Sequence, residues 1–148
     1  MAVETVAELS LEFGRAMNEM KSKIRQRVQA RLNETAPDIS FELLEVIGLL
    51  WRRDGITQQE IADTISKDKS SMTYLIHNLA KRKLVKRVEH ESDRRNKRIF
   101  LTAKGKAMRK LIFPWVLGVY EEAAGEASVA DLKRSISLTR KMAKNLAK

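Results

Sequence analysis

Apolar residues at the start of the chain recur in steps of three and four positions, which predicts one long amphipathic helix. They are Val6, Leu9, Phe13, Met17, Met20, Ile24, Val28 and Leu32. This stripe is longer than a small domain can cover by itself, so we expect it to pack against a second subunit. Pro37 disfavours a helical conformation at Ala36, and the helix is expected to end there.

Two shorter helical patterns follow, each opened by a capping residue. Ser40 can cap the first of them, and Gly55 ends it. Thr57 and Glu60, in the stretch TQQE, have the spacing of a capping box and predict a short second helix. The residues expected to face inward are Leu44, Ile47, Leu50, Trp51, Ile61, Ala62 and Ile65.

After the turn SKDK, Asp68 or Ser70 can cap a further helix over residues 69–81, and the two faces of this helix differ sharply. The inward face is Met72, Leu75, Ile76 and Leu79. The outward face is Lys69, Ser70, Ser71, Thr73, Tyr74, His77, Asn78 and Lys81. These side chains are hydroxyls, an amide and cations without a carboxylate, as a helix in the major groove of DNA requires. The alternative is an ordinary solvated face, which usually carries glutamate as well as lysine.

Two short β-like segments, 84–88 and 98–102, are joined by a strongly charged bend, which predicts a hairpin that leans on the helices. Thr102 can cap a long helix that extends to residue 120 and that Pro114 is expected to kink. After the interruption AGEAS, the stretch SVAD at 128–131 is a second capping box and opens a last helix. Its apolar stripe is Leu132, Ile136, Ala143 and Leu146.

This order of elements predicts a mainly α fold with a small β-hairpin wing. The predicted division is an N-terminal dimerisation helix over 1–36, a winged helix-turn-helix domain over 37–102 and C-terminal dimerisation helices over 103–148. All three belong to a single compact chain, because a length of 148 residues favours one domain.

The composition narrows the classes of partner. A net charge of +10 and a pI near 10.0 favour a polyanionic binding partner such as DNA, RNA or an anionic membrane. The alternative is a basic surface with no specific partner. The absence of cysteine excludes disulfide scaffolds, cysteine redox sensors and Cys-ligated zinc. The acidic start MAVETVAELS lacks a signal-peptide pattern, and the longest apolar run, 111–120, is about half a membrane span. We therefore expect a cytoplasmic protein with no membrane partner.

The charged bend can serve as the tip of a wing. Arginine at a hairpin tip can reach a minor groove, where the potential of DNA is most negative. Asp93 lies two positions before Arg95 and can orient its guanidinium by charge-assisted hydrogen bonds. The alternative is an exposed hairpin that charge protects from aggregation, and both interpretations can hold together.

Residues 56–108 resemble the MarR family of bacterial transcription regulators, above all in the motif DRRNKRIFLTAKG. The resemblance implies a homodimer that reads a palindromic DNA operator, with Ser70, Ser71, Thr73 and Tyr74 offered to bases or phosphates. It also implies Arg95 in the minor groove, oriented by Asp93, with Arg94 and Lys97 on phosphates. Lys83 departs from the family, which often has glycine at this position. Either Lys83 adopts a strained left-handed conformation or the helix ends in a different way.

The resemblance also implies a cleft for a small aromatic or anionic effector, where the dimer helices meet the winged domain. Nothing in the sequence names a ligand. Five cations of the first helix can attract an anion, remain solvated or extend the DNA footprint: Lys21, Lys23, Arg25, Arg27 and Arg31. The aromatic residues are expected in the core more than in a ligand cage: Phe41, Trp51, Phe113, Trp115 and Tyr120.

Metal and catalytic roles find no support in the sequence. His77 and His90 are the only histidines, and they do not form a cluster of ligands. No nucleophile motif or glycine-rich phosphate loop is present, so we expect no enzyme and no cofactor. The sequence favours a dimeric, sequence-specific DNA-binding regulator that acts as a repressor. An architectural protein that binds DNA without sequence preference, and a winged helix that binds proteins, remain alternatives.

Overall fold

The order of elements agrees with the predicted winged helix-turn-helix architecture. The computed structural model describes residues 3–90 and 93–147, and describes only the backbone at 90 and 93–95. The elements are α1 (Val6–Thr35), α2 (Phe41–Arg52), α3 (Gln58–Thr64), α4 (Lys69–Lys81), β1 (Val85–His90), β2 (Asp93–Leu101), α5 (Ala103–Ala124) and α6 (Val129–Leu146). The prediction of a mainly α fold with a small hairpin is therefore confirmed.

Helix α2 forms the centre of the core and is buried more completely than its predicted stripe. Its buried residues are Phe41, Leu43, Leu44, Val46, Ile47, Leu49 and Leu50. Helices α1, α4 and α5 and strand β2 all pack on it, which explains why several of its faces are apolar. Trp51 is half-buried, and its indole N–H donates to the carbonyl oxygen of Gly105 at 2.9 Å. This bond ties the end of α2 to the first turn of α5.

Most of the predicted helix starts are confirmed, although the capping boxes differ from expectation. The hydroxyls of Ser40 and Thr102 each accept a backbone N–H in the first turn of the following helix. The Thr57 hydroxyl accepts from the Glu60 N–H at 3.1 Å, but the Glu60 carboxylate accepts a hydrogen bond from that same hydroxyl. The predicted reciprocal bond to the backbone is therefore wrong at TQQE.

The last capping box is also incomplete. Ser128 accepts from the Asp131 N–H at 3.1 Å, while the Asp131 carboxylate pairs with Arg134. A complete capping box stands instead at the start of α1, between Thr5 and Glu8, where the sequence analysis did not predict one.

The terminal helices leave a wide apolar surface exposed in the single chain. Only the end of the α1 stripe is buried, at Ile24, Val28 and Leu32, and among the described residues α6 buries none of its own. The exposed apolar residues of these helices include Val6, Leu9, Leu11, Met20, Leu111, Leu117, Tyr120, Val129, Leu132, Ile136 and Leu138. Leu111 is 77% exposed, far more than a leucine in a covered helix face.

The hairpin is longer than predicted, and much of the segment expected to be a bend is strand. The strands pair antiparallel from Val85 opposite Leu101 to Val88 opposite Arg98, and the register shifts between Val88 and His90. Charged side chains are compatible with an exposed two-stranded ribbon. The many charged residues of this segment therefore indicate exposed strands and not a turn. The prediction that the strands end at 88 and begin at 98 is therefore wrong.

A third extended segment, not predicted, anchors the hairpin to the helices. The Ile99 N–H donates to the Ile56 carbonyl at 2.9 Å, and the Gly55 N–H donates to the Ile99 carbonyl at 3.0 Å. The Arg98 guanidinium donates to the carbonyl oxygen of Gly55 at 3.0 Å. These bonds fix the base of the wing beside the start of α3.

Helix α4 ends at a left-handed residue, Lys83. Its φ of 63° is left-handed, and its N–H donates to the Ala80 carbonyl at 2.9 Å. The following N–H, of Leu84, donates to the Leu79 carbonyl at 3.0 Å. This pair of bonds is a Schellman motif, and of the two endings considered, the strained left-handed one is present.

Helix α5 is longer than predicted. Helix α5 continues as one element through Pro114 and beyond residue 120 to Ala124, and the expected kink stays a prediction. No helix among the described residues combines the length and the apolar character needed to cross a membrane.

Candidate nucleic-acid interface

The outward face of α4 is accessible. Lys69, Ser70, Ser71, Thr73, Tyr74 and His77 are exposed, and Asn78 is half-buried. Tyr74 projects 67% of its surface into solvent although it is largely apolar. The inward face is buried as predicted, at Met72, Leu75, Ile76 and Leu79. The core therefore fixes the rotation of α4 and leaves its carboxylate-free face for a partner.

A groove of about 560 Å³ joins this face to the wing. Its lining residues are Gln58, Gln59, Ala62, Lys69, Ser70, Met72, Thr73, Tyr74, His77, Arg87, Asn96 and Lys97. The described lining carries cations from α4 and both strands and no carboxylate, which makes the groove complementary to a polyanion. The sequence analysis missed Gln58, Gln59, Arg87 and Asn96, because their place beside α4 depends on tertiary packing.

The start of α4 is capped by Asp68 and not by the alternative, Ser70. Its Oδ1 accepts from the Ser71 N–H at 2.7 Å. This backbone bond, supported by the Ser71 hydroxyl, holds the pKa of the Asp68 carboxyl below its ordinary value. The carboxylate thus lies at the positive end of the helix, where it stabilises the first turn.

Two of the predicted contact residues on α4 have internal partners. The Thr73 hydroxyl donates to the Lys69 carbonyl at 2.9 Å and accepts from the Gln58 amide at 3.0 Å. The Asn78 side-chain oxygen accepts from the Arg82 guanidinium at 2.8 Å. Asn78 therefore holds Arg82 beside the end of α4, which leaves its own amide N–H groups for other contacts.

The wing places Lys97 in the groove, half-buried and 3.9 Å from the Glu89 carboxylate across the hairpin. The predicted roles of Arg94 and Arg95, and the orienting bond from Asp93, concern side chains outside the described residues. They stay predictions.

The basic surface of α1 is partly neutralised. Arg25 pairs with Glu42, Arg27 lies 2.7 Å from Glu122, and Arg31 lies 3.8 Å from Glu34. Burial raises the pKa of Glu42, but its own backbone hydrogen bond and Arg25 outweigh burial and lower it. The Arg25 and Arg27 pairs tie α1 to α2 and α5, while the Arg31 pair lies within α1.

A second concave region lies between α1, α2 and α5, where the resemblance implies an effector cleft. It has a volume of about 310 Å³. Its lining residues are Val28, Phe41, Leu44, Glu45, Gly48, Leu49, Trp51, Arg52, Ile65, Arg109, Phe113, Val116 and Tyr120. Phe41 is buried as expected, but Phe113 is only half-buried and Tyr120 is exposed, so the expectation that both are core is wrong. Both rings line the cleft.

Among the residues that the structure describes, no group of three potential metal ligands comes together.

Comparison with known proteins agrees with this geometry. Residues 40–97 match the model of the MarR family. The transcriptional regulator HosA of Escherichia coli O157:H7 is 24% identical over 128 residues, which cover 86% of this chain and 94% of HosA. The S. aureus MepR–DNA complex has a TM-score of 0.75 at 22% identity, covering 90% of this chain and 98% of MepR. CouR from Rhodococcus jostii RHA1, bound to p-coumaroyl-CoA, has a TM-score of 0.78 at 20% identity, covering 92% and 94%.

The fold and the exposed α4 face define a winged helix-turn-helix protein. Residues 40–97 of the chain match the MarR family of transcriptional regulators, the family that its sequence motif indicated. The family and the relatives are regulators and not enzymes.

Proposed function

We propose that this protein binds double-stranded DNA as a homodimer at a palindromic operator and represses transcription from it. Helix α4 enters the major groove, and the hairpin reaches the adjoining minor groove. The observation that carries the proposal is the continuous groove between α4 and the wing, which is cationic and free of carboxylates along its described lining. Phosphate contacts from such a surface supply affinity, and the polar side chains of α4 supply base readout.

The residues proposed to contact DNA are Lys69, Ser70, Ser71, Thr73, Tyr74, His77, Asn78, Arg94, Arg95 and Lys97, with Asp93 orienting the wing. Tyr74 lies in the middle of the exposed face and offers an aromatic ring and a hydroxyl to base edges. Arg87, which also lines the groove, is placed to reach a phosphate.

The dimer is proposed to form through segments 1–36 and 103–148, with 37–102 as the DNA-binding domain. What supports this is the number of large apolar side chains that α1, α5 and α6 leave exposed, because grouped exposed apolar side chains mark protein–protein interfaces. A twofold axis through these helices would set the two copies of α4 about one helical turn apart, roughly 34 Å.

An effector is proposed to act in the cleft beside Trp51. The cleft has aromatic and aliphatic walls, and its two cations, Arg52 and Arg109, outnumber its one carboxylate, Glu45, which favours a small aromatic anion. Such a ligand would change the angle between α5 and the winged domain and so shift the spacing of the α4 pair. Because bacterial DNA lies in the cytoplasm, the proposal places the protein there.

Selection of bound sequences from a random DNA pool tests this function. The expected result is a palindromic motif with half-sites about one helical turn apart. Enriched pools without any motif would support the alternative of an architectural protein. If the protein retains no DNA at moderate salt, the result would support a protein-interaction module. It would contradict both the sequence-specific regulator and the architectural DNA-binding protein.

A further inference from the structure

The side chain of Thr73 lies on the exposed face of α4, yet its hydroxyl is already engaged. Its one proton goes to the Lys69 carbonyl oxygen, 2.9 Å away, and one lone pair accepts from the Gln58 amide at 3.0 Å. A hydroxyl has one donor and two acceptor positions, so Thr73 retains no donor and a single lone pair. Without breaking a bond, Thr73 can present to the groove its γ-methyl and one acceptor lone pair, but no donor.

Gln58 comes from α3 and therefore selects the Thr73 conformation from outside the helix. A threonine in a helix divides between two rotamers, because its hydroxyl can bond the carbonyl of the preceding turn. The additional bond from Gln58 favours the rotamer in which the oxygen faces α3. Both side chains line the groove that also contains Tyr74 and His77.

We propose that Thr73 reads the C5-methyl group of a thymine through its own methyl, and that Gln58 is the positioning residue that holds it for this contact. The inference rests on the proposed binding of DNA through α4. Thymine is the only base that carries a methyl in the major groove, and threonine methyls are suitable partners for it. The operator is thus expected to contain one thymine in each half-site that is recognised by an apolar contact.

Replacement of thymine by uracil tests this contact, because uracil pairs in the same way and lacks only the methyl. Each thymine of the selected site is replaced in turn, and the dissociation constant of the full-length protein is measured. One position per half-site is expected to weaken binding about fourfold, which corresponds to one buried methyl group. If no thymine is sensitive although the site binds specifically, the inference fails and the proposed function stands. If no specific site can be selected, the proposed function itself fails.

Two matched variants separate the methyl from the hydroxyl. Thr73→Val keeps the methyl and is expected to retain the penalty for uracil. Thr73→Ser keeps the hydroxyl and is expected to bind the thymine and uracil sites equally. The opposite pattern, with discrimination lost in Thr73→Val and kept in Thr73→Ser, would overturn the proposal in favour of hydrogen bonding. Residue 73 is exposed, so thermal unfolding of both variants should match that of the wild type.

A double substitution tests the positioning role of Gln58. Gln58→Ala is expected to reduce the penalty for uracil in the wild-type background, because the Thr73 rotamer is no longer fixed. In the Thr73→Val background it should change nothing, since valine has no hydroxyl to hold and one preferred helical rotamer. An equal effect of Gln58→Ala in both backgrounds would show that Gln58 contacts DNA directly and would contradict the positioning role.

Discussion

The indole N–H of Trp51 donates a hydrogen bond to the carbonyl oxygen of Gly105, and this 2.9 Å contact joins helix α2 to the long helix α5. Trp51 also lines the cleft proposed for an effector. The same residue therefore lies beside the proposed effector cleft and holds the junction between α2 and α5. Each copy of a dimer would carry this connection.

Trp51→Phe is expected to lower the free energy of unfolding by about 1 kcal/mol, the usual net value of a neutral hydrogen bond. Most of the ring packing is retained, so a larger loss is not expected. Guanidinium denaturation at one fixed protein concentration measures the change, because the stability of a dimer depends on concentration. An unchanged midpoint would mean that the bond contributes nothing to the junction.

Gly105→Ala is expected to be strongly destabilising. A Cβ atom built at this position lies 2.2 Å from the Leu84 carbonyl oxygen, and a backbone atom cannot move aside cheaply. We expect a loss of about 1–3 kcal/mol, as for other overpacked sites. The matched control is Gly48→Ala in α2, where a Cβ meets nothing within 4 Å. That variant should be neutral or gain up to about 1 kcal/mol from helix propensity, and equal losses in both variants would contradict the steric explanation.

Lys83→Gly is expected to stabilise the end of α4. The left-handed conformation costs a residue with a side chain about 1–2 kcal/mol. Glycine removes that strain, but it also loses more conformational freedom on folding, worth about 0.5–1 kcal/mol. A net gain of about 0.5 kcal/mol should appear in thermal denaturation. Lys81→Gly removes the same charge within the helix and should be destabilising instead; a gain there would point to charge and not strain.

The cap formed by Asp68 gives α4 a stability that depends on pH. The folded state holds the pKa of this carboxyl below its ordinary value of 3.8. Its contribution is therefore present above that value and is lost as the pH falls through the lower, folded-state pKa. Asp68→Ala should lower the melting temperature at pH 7 and flatten the dependence on pH between about 5 and 2, the window of a depressed aspartate. Asp68→Ser keeps a neutral cap and should recover part of the loss at pH 7.

Arg95→Ala is expected to weaken DNA binding and to reduce the slope of log affinity against log salt by about one for each half-site. The reason is that a cation inserted into the minor groove lies between the two phosphate backbones and displaces condensed counterions from them. Filter binding across a series of salt concentrations measures the slope. Arg140→Ala on α6 removes the same charge outside the groove and should leave the slope unchanged. An unchanged slope in Arg95→Ala would remove this residue from the interface.

The sequence predicted the α4 face well because local spacing determines it. Met72, Leu75, Ile76 and Leu79 can be buried together in only one rotation of a helix, so the opposite face follows from periodicity. Gln58 lies on a different helix, and its bond to Thr73 depends on how α3 packs against α4. The packing angle between α3 and α4 cannot be predicted from a local sequence pattern. The sequence analysis therefore missed Gln58.

In the wing, too, the features set by local sequence were predicted and those set by tertiary packing were not. The apolar residues Val85, Ile99 and Leu101 indicated the paired core of the hairpin, and they are buried. The extension into the charged segment, and the backbone bonds that link Ile99 to Gly55 and Ile56, arise from pairing between distant parts of the chain. Backbone groups are the same at every residue, so the sequence carries little signal for such pairing.

The most direct test of the account is the ratio of affinities for the selected operator and for random duplex DNA of the same length, measured by competition at physiological salt. If the α4 face reads bases, the operator should be favoured by about a thousandfold or more, and Tyr74→Ala should reduce that ratio while binding to random DNA stays nearly constant. A wild-type ratio close to one, or equal losses on both DNAs in Tyr74→Ala, would contradict the claim that this exposed helix recognises sequence.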